Sequence, residues 1–99
     1  MGLIELAQNP KDPRFLNYQG FNHRMLGENE LAKKFYEEAI AINPDYILAR
    51  SYYGQALMKD GDIDGAKAQL ASIIEIRGRT GFAYRSLRDA ISGKSGGYY

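Results

Sequence analysis

Apolar positions in this chain recur at helical spacing, in short runs closed by glycine or by an asparagine–proline pair. Leu31, Phe35, Ala39 and Ile42, at spacings of four and three, form one stripe of a helix. Ala66, Leu70, Ile73 and Ile74 form a second stripe, and Tyr84, Leu87 and Ile91 a third. Capping chemistry sets the boundaries. Asp12-Pro13 predicts an N-cap followed by proline at the first helical position, and a helix to about Leu26 closed by Gly27. Glu28-Asn29-Glu30 opens the next helix, with acidic groups suited to its dipole, and Asn43-Pro44 ends it. A third helix is predicted from about Asp45 to Lys59, broken by Gly61. Asp62 caps a fourth, from about Ile63 to Ile76, which Gly78 stops; Thr80 caps a fifth, from about Gly81 to Ile91. No segment alternates with the period of a strand, so the fold is all-α.

The helices come in copies. Gly20 recurs as Gly54, Gly27 as Gly61, Ala32 as Ala66, Tyr18 as Tyr52 and Lys33 as Lys67, each 34 positions on. Ile40 and Ile42 return as Ile74 and Ile76, and Asn9-Pro10 as Asn43-Pro44, at the same offset. A period of this length belongs to a helix–turn–helix unit stacked into a solenoid.

With Pro13 as the first position of a unit, the residues resemble the tetratricopeptide repeat (TPR). Gly20 stands at its close-packing position, Gly27 at its interhelical turn and Ala32 at the small position opposite Gly20. Tyr36, Ala39 and Pro44 occupy its aromatic, second small and terminal proline positions. The next unit, from Ile47, matches at Tyr53-Gly54, Gly61, Ala66 and Leu70, and departs at Ile73 and Gly78. Asn17-Tyr18, Gly20-Phe21, Arg24 and Gly27, with Tyr84, Leu87 and Ala90-Ile91 at the far end, are similar to small bacterial proteins of this family. The resemblance implies a right-handed alpha-alpha superhelix of antiparallel helix pairs over residues 1–92. Residues 1–12 would close a partial repeat, 13–46 and 47–80 form two repeats, and 81–92 a capping helix before a flexible tail at 93–99.

Composition narrows the function. Hydrophobic residues at 44% and charged ones at 25% are ordinary globular usage, and a net charge of +1 supplies no bulk field for nucleic acid or anionic membrane. Without cysteine there is neither disulfide nor thiolate metal site. No apolar run is long enough for a membrane span, and the N-terminus lacks the basic region of a signal peptide. The expectation is a soluble chain, cytoplasmic as given and periplasmic if a leader has been removed; the compartment stays open.

The resemblance also implies a concave groove lined by the first helix of each unit. Its positions here are Arg14, Asn17, Tyr18, Phe21 and Arg24, then Leu48, Ser51, Tyr52, Gln55 and Met58, then Phe82, Arg85 and Asp89. Rings beside Arg and Asn suit a peptide or protein partner. The competing reading has Tyr18 and Tyr52 pack between neighbouring units. The carboxylate clamp of chaperone-binding members is absent, since its places hold Asn17, Phe21, Tyr52, Phe82 and Ser86.

Other constellations carry less. His23 falls at a packing position. Asp60, Asp62 and Asp64 around Gly61 lack the ligand spacing of a calcium loop and read as helix capping. Gly93-Lys94-Ser95 lacks the strand and earlier glycine of a phosphate loop. No nucleophile–base pair, cofactor site or metal set emerges, so no enzymatic activity is expected. Two alternatives to peptide binding stand beside it. One is homodimerisation through an N-terminal apolar face of Met1, Leu3, Ile4 and Leu6; the other is RNA contact through Arg77, Arg79, Arg85 and Arg88.

Overall fold

The computed structural model describes residues 10–93. Within them lie five α-helices: α1 (Pro13–Met25), α2 (Asn29–Ile42), α3 (Ile47–Lys59), α4 (Ile63–Arg77) and α5 (Gly81–Ser92). No strand occurs among the described residues. The apolar N-terminal stripe at Met1–Leu6 and the tail from Lys94 onwards lie outside them.

The 34-residue echo returns as identical turn chemistry. Gly27 and Gly61 take φ of 83° and 82°, the left-handed region that glycine enters without a Cβ penalty. At the first turn Gly27 N–H donates to Arg24 C=O at 3.0 Å and Glu28 N–H to His23 C=O at 2.8 Å. At the second, Gly61 N–H donates to Met58 C=O at 3.0 Å and Asp62 N–H to Leu57 C=O at 2.9 Å. Both are Schellman closures, which satisfy the last carbonyls of one helix while reversing the chain into the next.

The other boundaries hold with three corrections. Asp12 caps α1 by accepting from Arg14 N–H at 2.8 Å, and Asp62 caps α4 by accepting from Gly65 N–H at 2.9 Å. Thr80 occupies the N-cap position of α5, but its side chain makes no capping hydrogen bond. Helix α3 starts at Ile47 and not at Asp45, because Asn43 Oδ1 accepts from Asp45 N–H at 3.2 Å and holds that residue in a turn. The stripe on α2 is rotated by one residue. Ala32, Tyr36 and Ala39 are fully buried, whereas Leu31 and Ile42 remain 40% and 45% exposed. Helix α2 packs on both α1 and α3, so the face between those two helices is the one buried, with Tyr36 flanked by the small Ala32 and Ala39, and Leu31 and Ile42 lie at its edge.

Helix α1 packs chiefly on α2, and α3 on α4; α2 then stacks on α3, and α5 on both α3 and α4. A Cβ on Gly20 would stand 2.6 Å from the Tyr36 ring, so the residue that occupies the space at Gly20 is Tyr36, not Ala32. On Gly54 it would stand 2.7 Å from the Leu87 methyls. The core runs from Leu16, Ala39 and Ala49 through Ala32, Tyr36 and Ala56 to Leu57, Ala66, Ile73, Tyr84 and Leu87. Between α2 and α3 a polar seam adds register. Asn29 donates to Ala56 C=O at 3.1 Å and to Asp60 at 2.9 Å, Lys33 pairs with Asp60, and Tyr53 donates to Glu37 at 2.7 Å.

Candidate functional site

The first helices of the two units touch only sparsely, while α3 and α5 pack closely. Where α1 and α3 diverge, an open groove of about 290 Å³ is lined by Arg14, Asn17, Tyr18 and Phe21 from α1 and Leu48 and Tyr52 from α3. The α1 residues share a face because their spacings of three and four match the helical turn. Phe21 and Tyr52 meet across the groove with ring centroids 5.5 Å apart, tilted by 40°. Tyr52 also packs on Tyr36, at 6.0 Å, so it joins the units and lines the groove at once. Tyr18 stands 39% exposed.

Arg14 is oriented from the helix start. Asp12 receives its Nε at 3.1 Å and a terminal nitrogen at 2.7 Å, a bidentate grip that holds the Asp12 carboxyl below the usual range. The sequence signalled Asp12 only as a cap. Asn17 is buried, and its amide partly offsets the rise that burial gives the Tyr46 phenol; Tyr46 helps to line a second hollow with Asp12, Pro13, Arg14 and Asn43.

Three further predicted groove residues, Arg24, Ser51 and Gln55, lie beneath the surface. Arg24 is 3% exposed, with its guanidinium carbon 5.6 Å from the Phe21 ring centroid and 5.3 Å from that of Tyr52. None of its three guanidinium nitrogens has a hydrogen-bond acceptor among the described residues, and the buried Tyr36 hydroxyl also lacks a partner. Burial lowers the Arg24 pKa and raises that of the Tyr36 phenol, yet arginine's high intrinsic value keeps Arg24 charged at neutral pH.

Gln55 is fully buried and donates to Ser51 at 3.2 Å and Ser86 at 2.8 Å, while the Ser51 hydroxyl donates to Ala83 C=O at 2.7 Å. These bonds close the α3–α5 contact, so Gln55 and Ser51 are internal and not groove-facing. Met58 is half-buried and packs on the core of the second unit. On α5, Phe82 is 51% exposed and Arg85 is exposed, but neither lines the α1–α3 groove; Asp89 pairs with Arg88 at 2.9 Å.

The remaining candidates have structural partners. His23 stacks on Phe35 at 5.3 Å and places Nδ1 2.8 Å from Glu28. Asp60 is engaged by Lys33 and Asn29. Among the described residues no three His, Asp or Glu side chains gather to hold a metal ion, and no helix is long and apolar enough to cross a membrane.

No curated protein and no solved structure matches the chain. The family model described as "Tetratricopeptide repeat" matches residues 24–91, from the end of α1 through α5. Repeats of this family are non-catalytic and generally mediate protein–protein interaction. Five stacked helices with recurring turns agree with that match, and the chain belongs to the tetratricopeptide repeat family.

Proposed function

We propose that the chain is a protein-interaction scaffold that holds a peptide or a segment of a partner protein in the groove between α1 and α3. The observation that carries this reading is the lining itself: Tyr18, Phe21, Leu48 and Tyr52 offer apolar area beside the polar groups of Arg14 and Asn17. Aromatic residues and arginine are the side chains that dominate protein recognition energetics. Stacked helices hold the lining in place, so binding needs little backbone change and its entropic cost is small. The extension of this surface along α5 through Phe82 and Arg85 belongs to the same proposal.

Affinity capture from the source cell, followed by reconstitution with the purified captured protein, tests it. The Tyr18→Ala/Phe21→Ala double variant is expected to lose the partner by a factor of about ten or more while keeping its helical circular dichroism. Equal binding by this folded variant would remove the groove from the proposal.

A further inference from the structure

The two repeats treat the same positions differently. Five of the seven buried side-chain polar atoms without a hydrogen bond among the described residues belong to Asn17, Arg24 and Tyr36, all at the first interface. The 34-residue offset converts Arg24 to Met58, Tyr36 to Leu70, Phe21 to Gln55 and Tyr52 to Ser86. At the second interface these positions supply packing methyls and a Gln55–Ser86 hydrogen bond of 2.8 Å. The repeat architecture is therefore complete without a cation, and Arg24 answers another need. A guanidinium removed from water with only ring faces for company is costly, because cation–π attraction returns a fraction of the lost hydration.

We propose that Arg24 is a carboxylate receptor under the groove: an Asp or Glu side chain of the bound peptide passes between Phe21 and Tyr52 and pairs with its guanidinium. This rests on the peptide-binding reading above and names the chemistry of that peptide. Phe21 and Tyr52 both line the groove and both cover Arg24, so rotation of two half-buried rings joins the cation to the surface. No acidic residue lines the groove, and Asp12, which caps α1, is committed to Arg14. With centroids 5.5 Å apart the two rings touch, so they must part to admit the carboxylate; an opening made by ring rotation alone is narrow and favours an acidic side chain over a chain end with its backbone. A single sheltered cation suits one carboxylate. Nucleic acid needs a row of exposed cations along its phosphates.

Random-sequence peptides, displayed with both ends fused so that no terminal carboxylate is free, are the probe. Selected binders are expected to share an Asp or Glu at one position. Exchange of that residue for its amide weakens a synthetic binder by about tenfold or more, and Arg24→Met weakens the acidic binder equally. With both changes made, the loss is expected to be no greater than with either alone, the signature of a direct pair. The unliganded Arg24→Met protein is expected to melt several degrees higher, since a buried unpaired charge has been replaced by the residue of the second repeat. A lower melting temperature with acidic-peptide affinity intact would assign Arg24 to scaffold stability and overturn the proposal. Binders without acidic preference would overturn it too, yet leave the peptide groove standing. Failure to select any binder would defeat both readings. Displacement of a selected peptide by random single-stranded RNA at physiological ionic strength would reassign the cation to phosphate and overturn the peptide carboxylate.

Discussion

Gly20 shows how a single residue position is decided by what faces it. Glycine inside a helix normally costs about 1 kcal/mol relative to alanine, so Gly20→Ala ought to stabilise α1 on helix propensity alone. The fully buried Tyr36 ring lies 2.6 Å from where the new Cβ would be, and it cannot retreat without disturbing Ala32 and Ala56 around it. Overpacking of this kind costs about 1–3 kcal/mol, enough to reverse the sign. Gly20→Ala is expected to lower stability by about 1–2 kcal/mol in urea unfolding, and to cost less once Tyr36 is also replaced by Leu, the residue at position 70. A stabilised Gly20→Ala protein would show that the ring moves freely. The repeat offset makes Gly20 conspicuous in the sequence but does not reveal that the Tyr36 ring is what fills the space beside it. Residue spacing places two side chains on facing helices without saying which of them reaches across.

At the scale of elements, starts and stops were largely legible because they are local chemistry. Asp12, Asp62, Gly27 and Gly61 act within a few residues of themselves, and each does what its type predicts. The misreadings, the shifted α2 stripe and the idle Thr80 hydroxyl, arise where a neighbouring element or an alternative turn decides. The latch between α2 and the end of α3 is likewise invisible in sequence, since Lys33 and Asp60 are 27 residues apart. Its pH dependence has a definite sign. Lys33 above all holds the Asp60 carboxyl below its ordinary 3.8, so its stabilisation is complete above that value and is lost as pH falls through the lower folded one. Lys33 is raised above 10.5, first by Asp60, so its contribution is complete below that pH and lost only as pH rises through the higher folded value. Thermal melts of Asp60→Asn against the unsubstituted protein should therefore differ by a constant amount between about pH 5 and 9, and begin to converge only as pH falls below about 4. A gap that persists undiminished at about pH 2 would mean that Asp60 acts through hydrogen bonds alone.

Across the whole molecule, the two contacts between first helices are unequal. Helix α5 inserts Leu87 against Gly54 and adds Tyr84 to the core of the second unit, so α3 is covered closely. Helix α1 has no comparable insertion into α3; Phe21, Tyr52 and the buried Arg24 stand between them, and the groove opens there. Leu87→Ala is expected to cost about 2–5 kcal/mol, because the side chain is fully buried and its cavity cannot collapse onto the rigid α3 backbone. Each helix pair leans on its neighbours, so the loss should appear as one transition, coincident by far-UV circular dichroism and by tyrosine fluorescence. Separate transitions for the two units would show that the α2–α3 seam is too weak to couple them.

The sequence by itself determined the all-α class, the 34-residue unit and the glycine turns. All of these follow from periodicity and from chemistry acting over one or two turns. Tertiary structure alone decided depth. It kept Arg14, Tyr18, Phe21, Leu48 and Tyr52 at the groove, sealed Gln55 and Ser51 into the α3–α5 contact, and drew Arg24 beneath two rings. Spacing along a helix specifies direction, whereas burial depends on how far the next helix stands away. That distance is set by side chains many residues distant, here Tyr36 at the first interface and Leu87 at the second.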